Sequence, residues 1–309
     1  MIHVLVTGGA GFIGTNLCKK LLQQGHKVVS IDNLITSHGS NIKDFSKNPN
    51  FSFIKHDITK PLPSIINHKS SIINHIYHSA CPTGIPNLKK LSEEMLLTCS
   101  IGTRNILDFA LKNKAVLTFT SSSEVYGNPD VFPQKETYNG NVNPTGIRSP
   151  YEEGKRFAES LIMSYVRKYN LDAKIVRIFN TYGPYFSTND TRVIPHFLNK
   201  ARKNKPLPIA GDGKQTRTFC YVDDLVDSLI LVMKKGKKGE IYNAGGDTEI
   251  SILELAHLIK FVANSKSKLK FVKRPDHDHN GRLPDLTKLK SLGWNPTVGI
   301  YEGLKKTLG

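Results

Sequence analysis

Cysteine is scarce in this chain of 309 residues. The four present, Cys18, Cys81, Cys99 and Cys220, are scattered and form no C-x-x-C pair. That argues against a disulfide framework or a cysteine-built metal site, and no metal is expected. No apolar run approaches the length of a bilayer span, and no charged segment followed by an apolar stretch and a cleavage site opens the sequence. A soluble, cytoplasmic protein without membrane contact is expected. Repeats and low-complexity linkers are also missing. Acidic residues are few, 26 against 43 Lys and Arg, for a formal net charge of +17. Such an excess can serve nucleic acid. Here the lysines are spread along the chain, and the densest cluster, "KKGKKG" at 234–239, reads as a helix end plus a turn. The expectation is a Lys-rich solvated surface that attracts an anionic small molecule such as a nucleotide diphosphate, not a nucleic-acid protein.

What is present is an alternation of strands and helices. "HVLVTGG", "KVVSID", "FSFIKHD", "HIYHSA", "AVLTFTS" and "AKIVRIF" read as strands. "FIGTNLCKKLLQQG" has helical spacing and ends at Gly25, and further helices are expected over about 91–112 and 150–168. This order predicts an α/β fold, a doubly wound parallel sheet of the Rossmann type. After Asn180 the pattern loosens. Helices are expected at "VIPHFLNKARKN", at "DDLVDSLILVMKK" with Asp223 or Asp224 as cap, and at "ISILELAHLIKFVA", with a short one in "LPDLTKLKSLGW". The division expected is a cofactor domain over 1–178, which also reclaims about 214–244, and a smaller α/β substrate lobe over 179–309.

"TGGAGFIG" lies between the first strand and the first helix. Gly9, Gly11 and Gly14 satisfy G-x-G-x-x-G, and Gly8, Gly11 and Gly14 also satisfy G-x-x-G-x-x-G. Small residues there let the backbone approach a pyrophosphate, whose charge meets the helix N-terminus. Asp32 ends the second strand, 18 residues beyond Gly14. A carboxylate there accepts from both ribose hydroxyls and disfavours a 2′-phosphate, so NAD is expected over NADP. Asp57, at the end of the third strand, is a candidate adenine contact. Phe12, Ile13, Asn33 and Ile58 are expected to line the same site.

"SPYEEGKRFAES" places Tyr151 and Lys155 one helical turn apart, on one face. "TSSSEVYG" at 120–127 follows the fifth strand, at the sheet edge where ligands of open parallel sheets bind. A tyrosine ordinarily titrates at about 10. Beside the Lys155 ammonium and a nicotinamide ring its phenolate is favoured, making Tyr151 a base for a sugar hydroxyl, with Ser122 bonded to the same hydroxyl.

These segments resemble the extended short-chain dehydrogenase/reductase superfamily of nucleotide-sugar enzymes, and within it the UDP-glucuronate decarboxylases (UDP-xylose synthases). "SSEVYG", "NPTGIRSPYEEGKR", "RIFNTYGP", "TRVIPHF", "GDGKQTRTFCYVDDLV" and "GRLPDLTKLKSLGW" carry the resemblance, which runs nearly end to end. It implies that Tyr151, Lys155 and Ser122 oxidise C4. It implies that Ser123, Glu124 and Arg282 manage decarboxylation and reprotonation, and that Asn180, Arg192, Gln215, Arg217 and Arg282 bind the nucleotide-sugar. It also implies a homodimer, in which the 91–112 and 150–168 helices form a four-helix bundle across a two-fold axis. Phe157, Ala158, Leu161, Ile162, Tyr165 and Val166 make the stripe expected to serve it.

Three positions depart from the decarboxylase pattern: Cys81 in "HSACPTGIP", Cys99 where an asparagine is usual, and Ser37 where a glycine is usual. A 4,6-dehydratase or C4 epimerase is the alternative of the same chemistry. A non-catalytic dinucleotide-binding or RNA-binding module is the alternative of another class.

Overall fold

The computed structural model describes residues 1–67, 72–186, 190–274 and 281–308. Six strands form in the expected order: β1 (His3–Thr7), β2 (Lys27–Asp32), β3 (Phe51–Lys55), β4 (His75–His78), β5 (Val116–Ser122) and β6 (Ala173–Ile178). With the strand Ile241–Ala244 they make one seven-stranded sheet, ordered β3-β2-β1-β4-β5-β6-(241–244). Every neighbouring pair in it is parallel. Helices cover both faces, so central strands read as nearly continuous apolar runs. Val4, Leu5 and Val6 of β1 are all fully buried, as are Ile175 and Val176 of β6.

The order reverses between β1 and β4, and the connections leave the carboxyl ends of these two strands in opposite directions. The gap between them is the crevice in which such folds take a dinucleotide. Helix α1 (Phe12–Gln23) follows β1 directly, and Gly25 at φ +76° ends it as expected.

Beyond β6 the chain builds short pairs: Thr181–Tyr182 with Cys220–Tyr221, Leu207–Ala210 with Leu269–Val272, and Thr216–Thr218 with Glu249–Ser251. The helices Val193–Ala201 and Ile252–Val262 pack against these pieces through the apolar core that also holds Trp294 and Leu304.

Three local expectations change. The helix expected over 91–112 forms over 92–113 but carries a π-turn at Thr98–Gly102, between Ser92–Leu97 and Thr103–Asn113. Gly102 packs this turn closely on Ile58, after β3: a Cβ there would stand 2.9 Å from Ile58 Cδ1. Neither Asp223 nor Asp224 caps its helix, which starts at Val222 after Tyr221. Asp224 instead accepts from Thr297 N–H and Oγ and from Val298 N–H, fastening the C-terminal segment. A terminal helix, Ile300–Leu308, was not expected. Among the described residues, no helix is long and apolar enough to cross a membrane.

Candidate active site

The glycine turn after β1 is held by backbone geometry. Gly8 has φ +72°, and its N–H donates to Ile31 O at 2.7 Å. A Cβ on Gly14 would stand 2.1 Å from Gly8 O, so α1 can lie on the turn only without a side chain there. A Cβ on Gly11 would stand 3.2 Å from Gly8 O, a tight contact with backbone, so the turn favours glycine there as well. No side chain caps the start of α1 at Gly11, Phe12 and Ile13, which leaves its first N–H groups and positive dipole end to an anion. Phe12 stacks on Phe186 at 3.9 Å between centroids.

Asp32 closes the other wall. Its Oδ2 accepts from Ala10 N–H at 3.1 Å, and its Oδ1 accepts from Leu34 N–H and Ser37 Oγ, both at 2.8 Å. The unusual Ser37 is thus a partner of Asp32. Each carboxylate oxygen has about two acceptor sites, so Oδ1 is filled and Oδ2 keeps one site for a ribose hydroxyl. Asp57 accepts from Thr59 N–H and Oγ, and Asn33 Nδ2 lies 3.4 Å away. Burial pushes the Asp57 carboxyl up, but these hydrogen bonds outweigh it and the net shift is downward. Ile58 is buried under the π-turn. Ser79 Oγ, at the end of β4 beside Gly8, is buried without a partner. The turn without side chains, the uncapped helix start, the acceptor on β2 and the orphaned hydroxyl together fit NAD.

The catalytic candidates meet at the ends of β5 and the helix Ser149–Tyr169. Ser122 ends β5, and its Oγ accepts from Glu124 N–H at 3.2 Å, leaving its proton to bond Tyr151. Lys155 is 2% exposed and its Nζ donates to Thr120 O at 2.8 Å. The same nitrogen lies 5.9 Å from the Tyr151 ring centre. Burial pulls the lysine down, but Cys81, Cys99, Tyr151 and Glu159 more than offset it, and its pKa rises. Tyr151 feels opposing effects. Lys155 and Ser122 do favour the phenolate, but burial outweighs them and carries the phenol above its ordinary range.

Glu124 sits between two arginines. Arg282 Nη2 is 3.1 Å from its Oε2, and Arg148 pairs with the same oxygen. Arg282 also donates to Ser123 O and, at 3.0 Å, to Gly127 O, which fastens the 281–284 segment to the end of β5. Arg148 Nε reaches Glu152 Oε1 at 3.2 Å. Arg217 is close enough to Arg282 to lower its pKa, though burial is the larger cause. Arg148 and Glu152 were not picked out from the sequence, although Arg148 stands three residues before Tyr151 in the quoted motif.

The remaining candidates lie beyond β6 in the chain. Asn180 Nδ2 is 3.4 Å from Thr218 O. Arg192 is held by Asp190, with Nε 3.0 Å from both carboxylate oxygens, and lies over the Phe186 ring. Gln215 Nε2 donates to Ala210 O at 2.9 Å, and Arg217 Nη1 donates to Thr216 O at 2.8 Å.

A dinucleotide crevice with a Ser-Tyr-Lys set at its edge defines a nicotinamide-dependent enzyme of the short-chain dehydrogenase type. The chain belongs to the NAD dependent epimerase/dehydratase family, whose model matches residues 4–245. It is 41% identical over 305 residues to UDP-glucuronic acid decarboxylase 4 of Arabidopsis thaliana, which covers 98% of this chain and 67% of that protein. Among solved structures it resembles the UDP-glucose 4-epimerase of Thermotoga maritima with UDP-glucose, at TM-score 0.90 and 28% identity over 99% of this chain and 97% of that one. It also resembles a dTDP-glucose 4,6-dehydratase of Streptomyces venezuelae with NAD bound, at TM-score 0.88 and 27% identity over 99% of this chain and 96% of that one.

Proposed function

We propose that the chain decarboxylates UDP-glucuronate to UDP-xylose through a 4-keto sugar. The observation that carries the reading is the charge set around Arg282. Arg282 and Arg148 both pair with Glu124 at the end of β5, and Arg148 also reaches Glu152 at the start of the Tyr151 helix. Guanidinium groups gathered beside the Tyr151 base suit a sugar that brings its own carboxylate.

NAD, when bound, supplies the acceptor for the C4 hydride and returns it at the end. Tyr151 takes the C4 hydroxyl proton, Ser122 holds that hydroxyl, and Lys155 fixes the phenol and favours its anion. The resulting C4 ketone is β to the C5 carboxylate, so loss of carbon dioxide leaves its electrons in an enolate. Arg282 holds the carboxylate and offsets the developing oxyanion. Glu124, oriented by both arginines, is placed to govern the proton at C5. Asn180, Arg192, Gln215 and Arg217 bind the nucleotide-sugar on the lobe over 179–309. Residues 1–178 with about 214–244 hold the cofactor.

A homodimer belongs to the same proposal. The expected stripe is mostly consumed inside the protein: Ala158 and Ile162 are buried, and Leu161, Tyr165 and Val166 half-buried. What remains outside is Phe157 at 52% exposure, with Leu96, Leu97 and Ile101 on the adjoining segment. That patch, on the helices the resemblance implicates, supports pairing with a second copy.

Incubating the purified chain with NAD and UDP-glucuronate, and measuring carbon dioxide and UDP-pentose, tests the activity. Stoichiometric release of both is expected. A 4-keto-6-deoxy sugar from dTDP-glucose, or a C4 epimer from a UDP-hexose, without carbon dioxide from any nucleotide uronate, transfers the site to a dehydratase or an epimerase.

A further inference from the structure

Two residues that break the family pattern meet in space. Cys81 Sγ and Cys99 Sγ lie 3.6 Å apart, although 18 residues separate them. Cys99 sits in the π-turn and packs on the helix Ser149–Tyr169, its Sγ 3.4 Å from where a Cβ on Gly154 would be. Gly154 directly precedes Lys155. Cys81 is partly exposed on the stretch after β4, while Cys99 is buried. Among the described residues, no group of three or more His, Cys, Asp or Glu could hold a metal ion, so the pair does not read as part of a metal site.

We propose that Cys81 and Cys99 are a dithiol that a hydroperoxide converts to a disulfide, reversibly switching off the adjacent Lys155–Tyr151 pair. The Cys81 thiolate attacks one peroxide oxygen; the O–O bond breaks, giving a sulfenic acid and, after proton uptake, water or an alcohol. Cys99 then attacks that sulfur, the S–O bond breaks, and the oxygen leaves as water. The two thiols together lose two electrons and two protons, and the peroxide is reduced.

The surroundings favour this order. The Cys99 hydrogen bond, and then the Lys155 charge, hold the Cys81 thiol below its ordinary range against the effect of burial. Cys99 is shifted upward by its hydrogen bond with Cys81 and by burial. Cys81, the less buried residue and the one with the lowered thiol pKa, is therefore the attacking thiolate, and Cys99 resolves it. Cys18 and Cys220 are buried singly, and burial pushes both thiols up. They are internal controls. Joining the sulfurs requires closure to about 2.05 Å. The movement falls on the π-turn and on the stretch that faces Lys155. A displacement of about 1 Å at a catalytic centre can cost on the order of 10²-fold in rate.

The test treats the NAD-loaded wild-type protein with hydrogen peroxide, alkylates remaining thiols under native conditions, and maps peptides by mass. The expected product has the Cys81 and Cys99 peptides joined, Cys18 and Cys220 still reduced, and turnover falling in step with the joined fraction. A thiol reductant restores both. Cys99→Ser should stop at a dimedone-reactive sulfenic acid on Cys81, and Cys81→Ser should give neither product. Should a variant fail to fold, the wild-type map decides alone. Free Cys81 and Cys99 after oxidation, oxidation spread over all four cysteines, or a complete disulfide with unchanged turnover overturns the proposal. The thiol map is independent of which nucleotide-sugar the chain uses, so its failure and that of the decarboxylase reading are distinguishable.

Discussion

Arg282 Nη2 lies 3.1 Å from Glu124 Oε2, joining residues 158 positions apart at the end of β5. Arg148 holds the same carboxylate from the start of the Tyr151 helix. The group expected to govern carbon dioxide loss is thus anchored from both sides of the cleft.

If C4 oxidation needs only Tyr151, Lys155 and Ser122, then Glu124→Gln and Arg282→Lys should spare it relative to decarboxylation. Losing one positioned acid–base group costs on the order of 10²–10⁴-fold. In a single turnover with UDP-glucuronate, absorbance of the reduced cofactor should still appear while UDP-pentose falls by that range. Equal loss of both signals makes the two residues substrate binders only.

Asp32 should set the choice of cofactor. Hydrogen bonds to a charged group contribute about 1.5–3 kcal/mol each. Asp32→Asn should therefore weaken NAD by roughly ten- to a hundredfold and narrow its advantage over NADP. Calorimetry on cofactor-stripped protein measures both. Tighter binding of NADP by the wild type removes the argument.

Phe157 should report the dimer. A charge at the centre of an apolar contact is costly unless paired, so Phe157→Glu should shift a dimeric wild type to monomer at micromolar concentration. Light scattering reads this directly. A wild-type monomer under the same conditions rejects the pairing.

His78 should make the protein acid-sensitive. Its ring lies between Thr7 Oγ at 2.8 Å and Thr103 Oγ at 3.1 Å, and burial, aided by the Lys155 charge, pulls its pKa down to about 3. An unfolded histidine titrates at about 6.5. The depressed value means the neutral ring stabilises the fold above that pH, and the contribution is lost as pH falls toward the folded value. Tm should drop across this window. His78→Asn should lower Tm at neutral pH, at about 1 kcal/mol per lost hydrogen bond, yet flatten the dependence. An unchanged slope assigns the acid sensitivity to other groups.

Much of this protein was legible in one dimension because its signals are local. Strand periodicity, the glycines around α1 and the one-turn spacing of Tyr151 and Lys155 depend on neighbours within a few residues. The same holds for Asp32, whose meaning follows from its place at the end of a strand. The π-turn at 98–102 was not legible, and the contact it makes, Gly102 on Ile58, joins residues 44 positions apart. Nor was the sign of the Tyr151 shift, since burial depends on the whole packed chain while the Lys155 spacing is written in the sequence. The arginines around Glu124 and the Cys81–Cys99 contact needed tertiary structure for the same reason. Charge pairing and thiol proximity act over a few ångströms, and only folding brings residues so distant along the chain within that range.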